Sequence, residues 1–347
     1  MACKSPPYNE TTSRKTRMTH ARFPTEPFVP RFGLAGPHRQ TLAGVLLSRD
    51  DRLPSALERL FRVEVDAQVL CECHWQPEPQ RVLTVVLVHG LEGSSRSQYI
   101  VGTSNKCWAA GWNVVRMNMR NCGGSEHLAP TLYHSGMSGD VGAVVRGLIS
   151  EDHLSRIAVA GFSMGGNLVL KLAGEWGREA PPEVCAFAAV CPAADLAATA
   201  DAIHLPQNRL YEWNFLHGLT QRLRRKARLF PDRFETGSLG RVRSMRDFDH
   251  RVTARYCGFA GADDYYARSS ASRVLDQIAL PTLVLYSLDD PFVHLLPETC
   301  ARLRAHPSIT YVETERGGHC AFLAPPDGYD GRWAERQIVA FLQRLSP

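Results

Sequence analysis

The stretch Arg156-Ile157-Ala158-Val159-Ala160-Gly161-Phe162-Ser163-Met164-Gly165-Gly166-Asn167-Leu168 decides the fold. A short apolar strand runs into the pattern G-x-S-x-G, and a helical stretch, Met164 to Trp176, opens directly after it. A nucleophile elbow requires this context of strand, sharp turn and helix. In such a turn, side chains at Gly161 and Gly165 are expected to collide with neighbouring strands, while Ser163 is held with its hydroxyl above the sheet. The alternative is an ordinary serine N-cap following a strand.

Outward from this turn, strand and helix patterns alternate. Arg62 to Trp75 predicts a paired strand or two, and Arg81 to Val88 a buried strand ending in His89-Gly90. A helix near Ser97 to Ala110, a strand at Asn113 to Met119 and a Gly-broken turn at Asn121 to Gly124 follow. Ser138 to Ser150 reads as a helix with Asp140 in its first turn, where the helix dipole favours an anion. Cys185 to Val190, Pro281 to Ser287 and Ile309 to Glu313 read as strands, and Arg332 to Leu345 as the closing helix. Continuous apolar strands alternating with helices predict a mostly parallel sheet covered on both faces.

The alternation fails between Leu196 and Arg273, which is helical in pattern and carries a basic run from Arg222 to Arg228. An insertion there would lie over the carboxyl ends of the strands, where open α/β sheets bind ligands. The expected organisation is a flexible leader at 1–27, a core at 28–195, a helical cap at 196–273 and the rest of the core at 274–347.

Composition narrows the class. The chain has 347 residues, 44% hydrophobic and 22% charged, enough for a buried core. No apolar run approaches the roughly 18 residues of a membrane helix, so a soluble protein is expected. Lys+Arg exceed Asp+Glu by 40 − 35 = 5, spread along the chain, which makes no case for nucleic acid. The ten cysteines come without a secretory signal and are read as reduced thiols in the cytoplasm. Cys71 and Cys73 share one face of a strand and are expected to be buried and structural. No CxxC pair or Cys/His cluster shows zinc-ligand spacing, so no metal is expected.

A serine hydroxyl needs a base to take its proton, and the base needs a carboxylate to fix its tautomer. After an elbow of this kind, both come from loops at strand carboxyl ends, in the order Ser, Asp, His. The strand at 281–286 runs into Ser287-Leu288-Asp289-Asp290-Pro291-Phe292-Val293, and the strand at 309–313 into Arg316-Gly317-Gly318-His319-Cys320. His319 fills the base position. Asp290, followed by Pro-x-Val, is preferred as the acid over Asp289, which would then form or cap the turn. His294 is expected on the next helix, solvated. Oxyanion donors are expected from the backbone N–H of Met164, at the start of a helix, and of Leu91, in the loop His89 to Ser95. His89 itself is read as a brace for that loop.

These residues resemble the α/β-hydrolase 4 family, which includes the YheT-like hydrolases and the mammalian abhydrolase-domain lipid hydrolases. The match takes in Gly36-Pro37-His38-Arg39-Gln40-Thr41-Leu42, Val88-His89-Gly90-Leu91-Glu92-Gly93, Asn118 to Ser125, Leu132-Tyr133-His134-Ser135-Gly136 and the elbow. It continues through Asn208-Arg209-Leu210-Tyr211, Asp263-Asp264-Tyr265-Tyr266, Asp290-Pro291-Phe292 and Gly318-His319, covering roughly residues 28–345. The resemblance implies an α/β-hydrolase fold and a serine hydrolase of acyl esters, with Ser163, Asp290 and His319 at the family's triad positions. Some members handle medium or long acyl chains and phospholipids. Asn121-Cys122 departs from the more usual Arg-Gly-x-Gly-Gly-Ser run. Tyr133, His134, Asp263 and Tyr265 match family positions as cap braces or substrate contacts.

The expected activity is a carboxylic-ester hydrolase working without metal or organic cofactor on a small acyl ester or lipid. Leu210, Tyr211, Trp213, Phe215 and Leu216 favour an apolar acyl site or else form the core of the cap. The Arg222 to Arg228 run is a solvated face or, on a sharper reading, a contact for an anionic lipid surface. An acyltransferase would use the same triad, and a non-catalytic binding protein would keep the fold without the chemistry.

Overall fold

The structure is a computed structural model describing Phe23 and residues 26–345. The expected leader lies outside the described residues except for Phe23, Glu26 and Pro27. Eight strands, β1 (Leu57–Glu64), β2 (Ala67–His74), β3 (Thr84–Val88), β4 (Asn113–Met117), β5 (Ile157–Phe162), β6 (Val184–Val190), β7 (Thr282–Ser287) and β8 (Ile309–Thr314), form one sheet in the order β1-β2-β4-β3-β5-β6-β7-β8. β2 pairs antiparallel with β1 and β4, and every pairing from β4 onward is parallel. The first strand begins five residues earlier than the alternation from Arg62 predicts, because most of β1 is exposed and only Phe61 in it is buried.

The helices are α1 (Pro37–Leu46), α2 (Gln98–Ala109), α3 (Ser138–Asp152), α4 (Met164–Trp176), α5 (Leu196–Ile203), α6 (Arg209–Leu229), α7 (Met245–Phe248), α8 (Ala254–Cys257), α9 (Ala262–Ser269), α10 (Pro297–Ala305) and α11 (Trp333–Arg344). Alternate residues of β3 feed two cores. Val86 and Val88 pack with Val141 and Val145 of α3 and Leu168 of α4 on one face, while Val85 and Leu87 pack with Ile100 of α2 and Ile338 of α11 on the other. Burial on both faces explains why the central strands read as unbroken apolar runs.

Between β6 and β7 the chain makes only helices and turns, α5 to α9. Their apolar side chains, including Ile203, Leu219, Leu223 and Phe248, join the core on the α3 and α4 face. Among the described residues, no helix is long and apolar enough to cross a membrane.

Two sequence expectations need correction, and one helix lies where none is expected. His294 lies in the loop before α10, since Pro297 fixes the start of that helix; it is exposed, as expected. The Arg222 to Arg228 run is not one solvated face: at helical spacing Arg222 and Lys226 turn inward and are buried, leaving Arg224, Arg225 and Arg228 exposed. Helix α1 was not anticipated, because its apolar side chains Leu42, Val45 and Leu46 face outward and give no core-directed stripe.

Candidate active site

The elbow is built by close backbone approach. Ser163 has φ 57° and ψ −120°, a region costly for a residue with a side chain. It is pinned by its N–H donating to Val190 O at 2.9 Å and by its carbonyl accepting from Asn167 N and Ala193 N at 3.0 and 3.2 Å. A β-carbon at Gly165 would meet the carbonyl oxygens of Val88 and His89 at 2.4 Å, so the collision with the neighbouring strand holds there. At Gly161 it is the elbow itself that intrudes, since a β-carbon would come within 2.2 Å of Gly165 O.

Across the strand ends, His319 Nδ1 lies 2.6 Å from Asp290 Oδ2. The other oxygen of Asp290 accepts from the N–H groups of Phe292 and Val293 at 3.2 and 2.9 Å, so the turn holds the carboxylate. Asp289 faces elsewhere: its Oδ1 accepts from Gly318 N at 2.8 Å and Ser287 Oγ at 2.5 Å, tying the Asp loop to the His loop. Phe292 packs on the imidazole with ring centroids 4.4 Å apart. Burial alone would lower the pKa of His319; the Asp290 carboxylate and neighbouring Cys320 outweigh it and raise the pKa above the ordinary 6.5.

Ser163 and His319 share the wall of one open cleft of about 600 Å³, which also takes in Gly90 and Leu91. Ser163 also borders an inner, mainly apolar pocket lined by Leu91, Met164, Ile203, Leu219, Phe248 and Phe292, among others. The serine thus stands where the two spaces meet. Ser163 Oγ makes no hydrogen bond among the described residues, and the hydrogen-bonding contact of His319 Nε2 there is with Cys320, whose Sγ lies at 3.7 Å. The N–H groups of Leu91 and Met164 donate no hydrogen bond among the described residues, which leaves both available to a ligand oxygen.

The loop after β3 is braced from several sides. The proton on His89 Nδ1 goes to Gly90 O at 2.8 Å, while Nε2 accepts from Met119 N at 3.1 Å. Burial pushes this ring down to about 4, so it stays neutral, in keeping with a brace. Tyr99 Oη accepts from Gly90 N at 2.9 Å, and a β-carbon at Gly90 would press to 3.0 Å from Ser163 Cβ.

Sequence reasoning missed two supports. Glu92 accepts from Tyr133 Oη at 2.5 Å and from Arg222 Nε and Nη2 at 3.0 and 3.2 Å, tying the loop to α6. Thr41 Oγ1 accepts the His319 N–H at 2.9 Å, while Gln40 clamps Leu323 through both its amide atoms, at 3.1 and 2.8 Å. Proline at the start of α1 was a readable signal for that helix. Of the four family-matched positions, Tyr133, His134 and Tyr265 line the inner pocket, and Tyr265 Oη accepts from Ser135 N at 3.0 Å. Asp263 is exposed and pairs with Arg246 at 2.6 Å.

With this geometry in view, the family described as alpha/beta hydrolase fold matches residues 84–326. The chain belongs to the α/β-hydrolase fold family. Within it, the Escherichia coli protein named "Putative esterase YheT" is 31% identical over 321 residues, covering 91% of this chain and 92% of that protein. Mouse "Phospholipase ABHD3" is 30% identical over 265 residues, covering 76% of this chain, and the chain spans 64% of that relative's length. The YheT-like resemblance carried by the motifs therefore holds. Among solved structures, 2,6-dihydroxy-pseudo-oxynicotine hydrolase superimposes with a TM-score of 0.55 at 18% identity, covering 88% of this chain and 71% of that one, a likeness of α/β-hydrolase fold.

Proposed function

We propose that the protein is a carboxylic-ester hydrolase that cleaves medium- or long-chain or lipid-like acyl esters through Ser163, His319 and Asp290. The observation carrying this reading is the 2.6 Å contact of His319 Nδ1 with Asp290, on a cleft whose wall includes the strained Ser163. Ser163 Oγ attacks the ester carbonyl as His319 Nε2 takes its proton, and the same proton passes to the leaving alcohol. Asp290 keeps the other ring proton on Nδ1 and stabilises the imidazolium. The N–H groups of Met164 and Leu91 receive the oxyanion, Met164 from the positive end of α4. Water then repeats the sequence and releases the acid. Hydrogen bonds at an unliganded site are commonly loose and tighten on substrate, which accommodates the unpaired Ser163 hydroxyl.

In this reading, residues 196–273 act as a cap over the strand ends. The inner pocket takes the acyl chain, since Ile203, Leu219 and Phe248 offer it an apolar wall, and the outer cleft takes the alcohol portion. The names of YheT and ABHD3 support an ester substrate and prompt a lipid-like one. Lipid-surface contact through the whole Arg222 to Arg228 run finds less support, given the inward turn of Arg222 and Lys226.

The test is turnover of acyl esters of graded chain length, with Ser163→Ala as the blank and a parallel arm containing an acceptor alcohol. Serine-dependent release of free acid, rising in kcat/KM with chain length beyond acetyl, is expected. Transfer of most acyl groups to the alcohol would make the protein an acyltransferase, and turnover unchanged in Ser163→Ala would overturn the mechanism.

A further inference from the structure

Cys320 follows His319 directly, and Cys191, 129 residues upstream, closes β6 beside it. Ligand atoms of Cys191, His319 and Cys320 all lie within 4.8 Å of one another. We propose that these three side chains form a site for Zn²⁺, and that its occupation switches the hydrolase off by claiming the His319 nitrogen that otherwise receives the Ser163 proton. The inhibitory half rests on the reading of His319 as the base; binding does not.

Two thiolates and an imidazole are a ligand set suited to a borderline-soft ion rather than to Ca²⁺ or Mg²⁺. Around tetrahedral zinc, with bonds of about 2.0–2.3 Å, ligand atoms stand roughly 3.5–3.8 Å apart. His319 Nε2 and Cys320 Sγ are 3.7 Å apart already. On the far side of the ring, Asp290 at 2.6 Å supplies the carboxylate that metal-bound histidines use to fix their tautomer. Cys191 Sγ accepts the Cys320 N–H at 3.4 Å, a contact that holds the two cysteines side by side. Both cysteines have positive φ, 43° and 58°, uncommon for residues with a side chain, and this backbone brings their sulfurs together beside one ring.

His319 and Cys320 line the outer cleft, which gives the ion a way in. Three protein ligands leave a fourth position for water, as in other open zinc sites. Binding needs both sulfurs as thiolates and His319 Nε2 without a proton, so it releases whichever protons these three groups carry, with no change of oxidation state. The weak thiol contacts to Gly318 O at 3.8 Å and Val190 O at 3.5 Å are given up. Spacing alone hides this site, because Cys191 stands beside the His-Cys pair only once β6 and the His loop are in register.

The experiment uses metal-free full-length protein titrated with Co²⁺ as a spectroscopic probe and with Zn²⁺ in ester turnover. One equivalent of Co²⁺ should produce thiolate-to-cobalt charge-transfer absorption, and Zn²⁺ should displace it. Saturating Zn²⁺ should lower turnover at least about tenfold, with full recovery on chelation, and Cys191→Ser should need at least roughly tenfold more Zn²⁺ for the same effect. Absence of the charge-transfer band in wild-type protein overturns the site whatever the variant does, as does an unchanged zinc response in folded Cys191→Ser. A one-equivalent band with undiminished turnover would instead overturn the inhibition and remove His319 from the base role, leaving the site in place.

Discussion

Asp289 and Asp290 are neighbours in the chain and face different partners: one holds the backbone of the His loop, the other the imidazole. Asp290→Asn is therefore expected to lower kcat by about 10³–10⁴-fold, through the wrong tautomer of His319, with little change in KM. Asp289→Asn should keep turnover within about tenfold and lower stability by roughly 1–3 kcal/mol, read by urea denaturation, because it weakens two half-buried hydrogen bonds to a carboxylate. The reverse pattern would exchange their roles. The raised pKa of His319 sets the pH dependence. A base must be neutral to act, so kcat/KM should climb with pH and its acid-side inflection should lie above 6.5; an inflection at or below 6.5 contradicts the Asp290 pairing. For stability the sign is opposite. The charged pair contributes fully below the unfolded value of about 6.5, and that contribution is lost as pH rises through the higher folded value. The sequence located an acid in this turn, yet which of two adjacent carboxylates meets the ring depends on the side chain that turns toward the loop after β8, a tertiary matter.

At the scale of elements, the strand-turn-helix at Ser163 was legible because its constraint is local: the glycines and the apolar strand lie within a dozen residues. Helix α1 was not, since its role is long-range and polar. Thr41 holds the His319 N–H from 278 residues away. Thr41→Val keeps the shape and leaves that N–H unpaired, so it should destabilise the protein by about 1–3 kcal/mol and lower kcat more than it raises KM. Wild-type kinetics and stability would show that α1 does not position the His loop. The burial of two members of the basic run on α6 is hidden from the sequence for a related reason. Arg222 is buried by its bonds to Glu92, and Lys226 by carbonyls of Glu126 and Ala129, partners remote in sequence. Arg222→Met, which strips Glu92 of its buried partner, should cost about 3–5 kcal/mol on thermal or urea unfolding, and a loss below 1 kcal/mol would mean the pair is effectively solvated.

For the whole molecule, one sheet with a core on each face brings the ends of β3, β5, β7 and β8 to a single rim, and two spaces meet at Ser163. The parallel order was readable from continuous apolar strands; the shape of the cleft was not, because α1 and α6 build its rim from segments far apart in sequence. Val45, Leu46, Leu210 and Trp213 are exposed there by 67%, 76%, 66% and 62%, so apolar side chains surround the mouth of the cleft. Trp213→Ser and Leu46→Ser should raise KM for long-chain esters several-fold while sparing acetyl esters, and equal effects on both would remove the rim from substrate capture. The claim beneath all of this is that one serine becomes nucleophilic because one histidine serves it. Site-mapped labelling with a fluorophosphonate, read by peptide mass spectrometry, tests it most directly. A single adduct on Ser163, formed at least about 10²-fold more slowly in His319→Ala, is the predicted result; an active enzyme whose Ser163 stays unmodified, or a His319→Ala variant labelled at the wild-type rate, would contradict it.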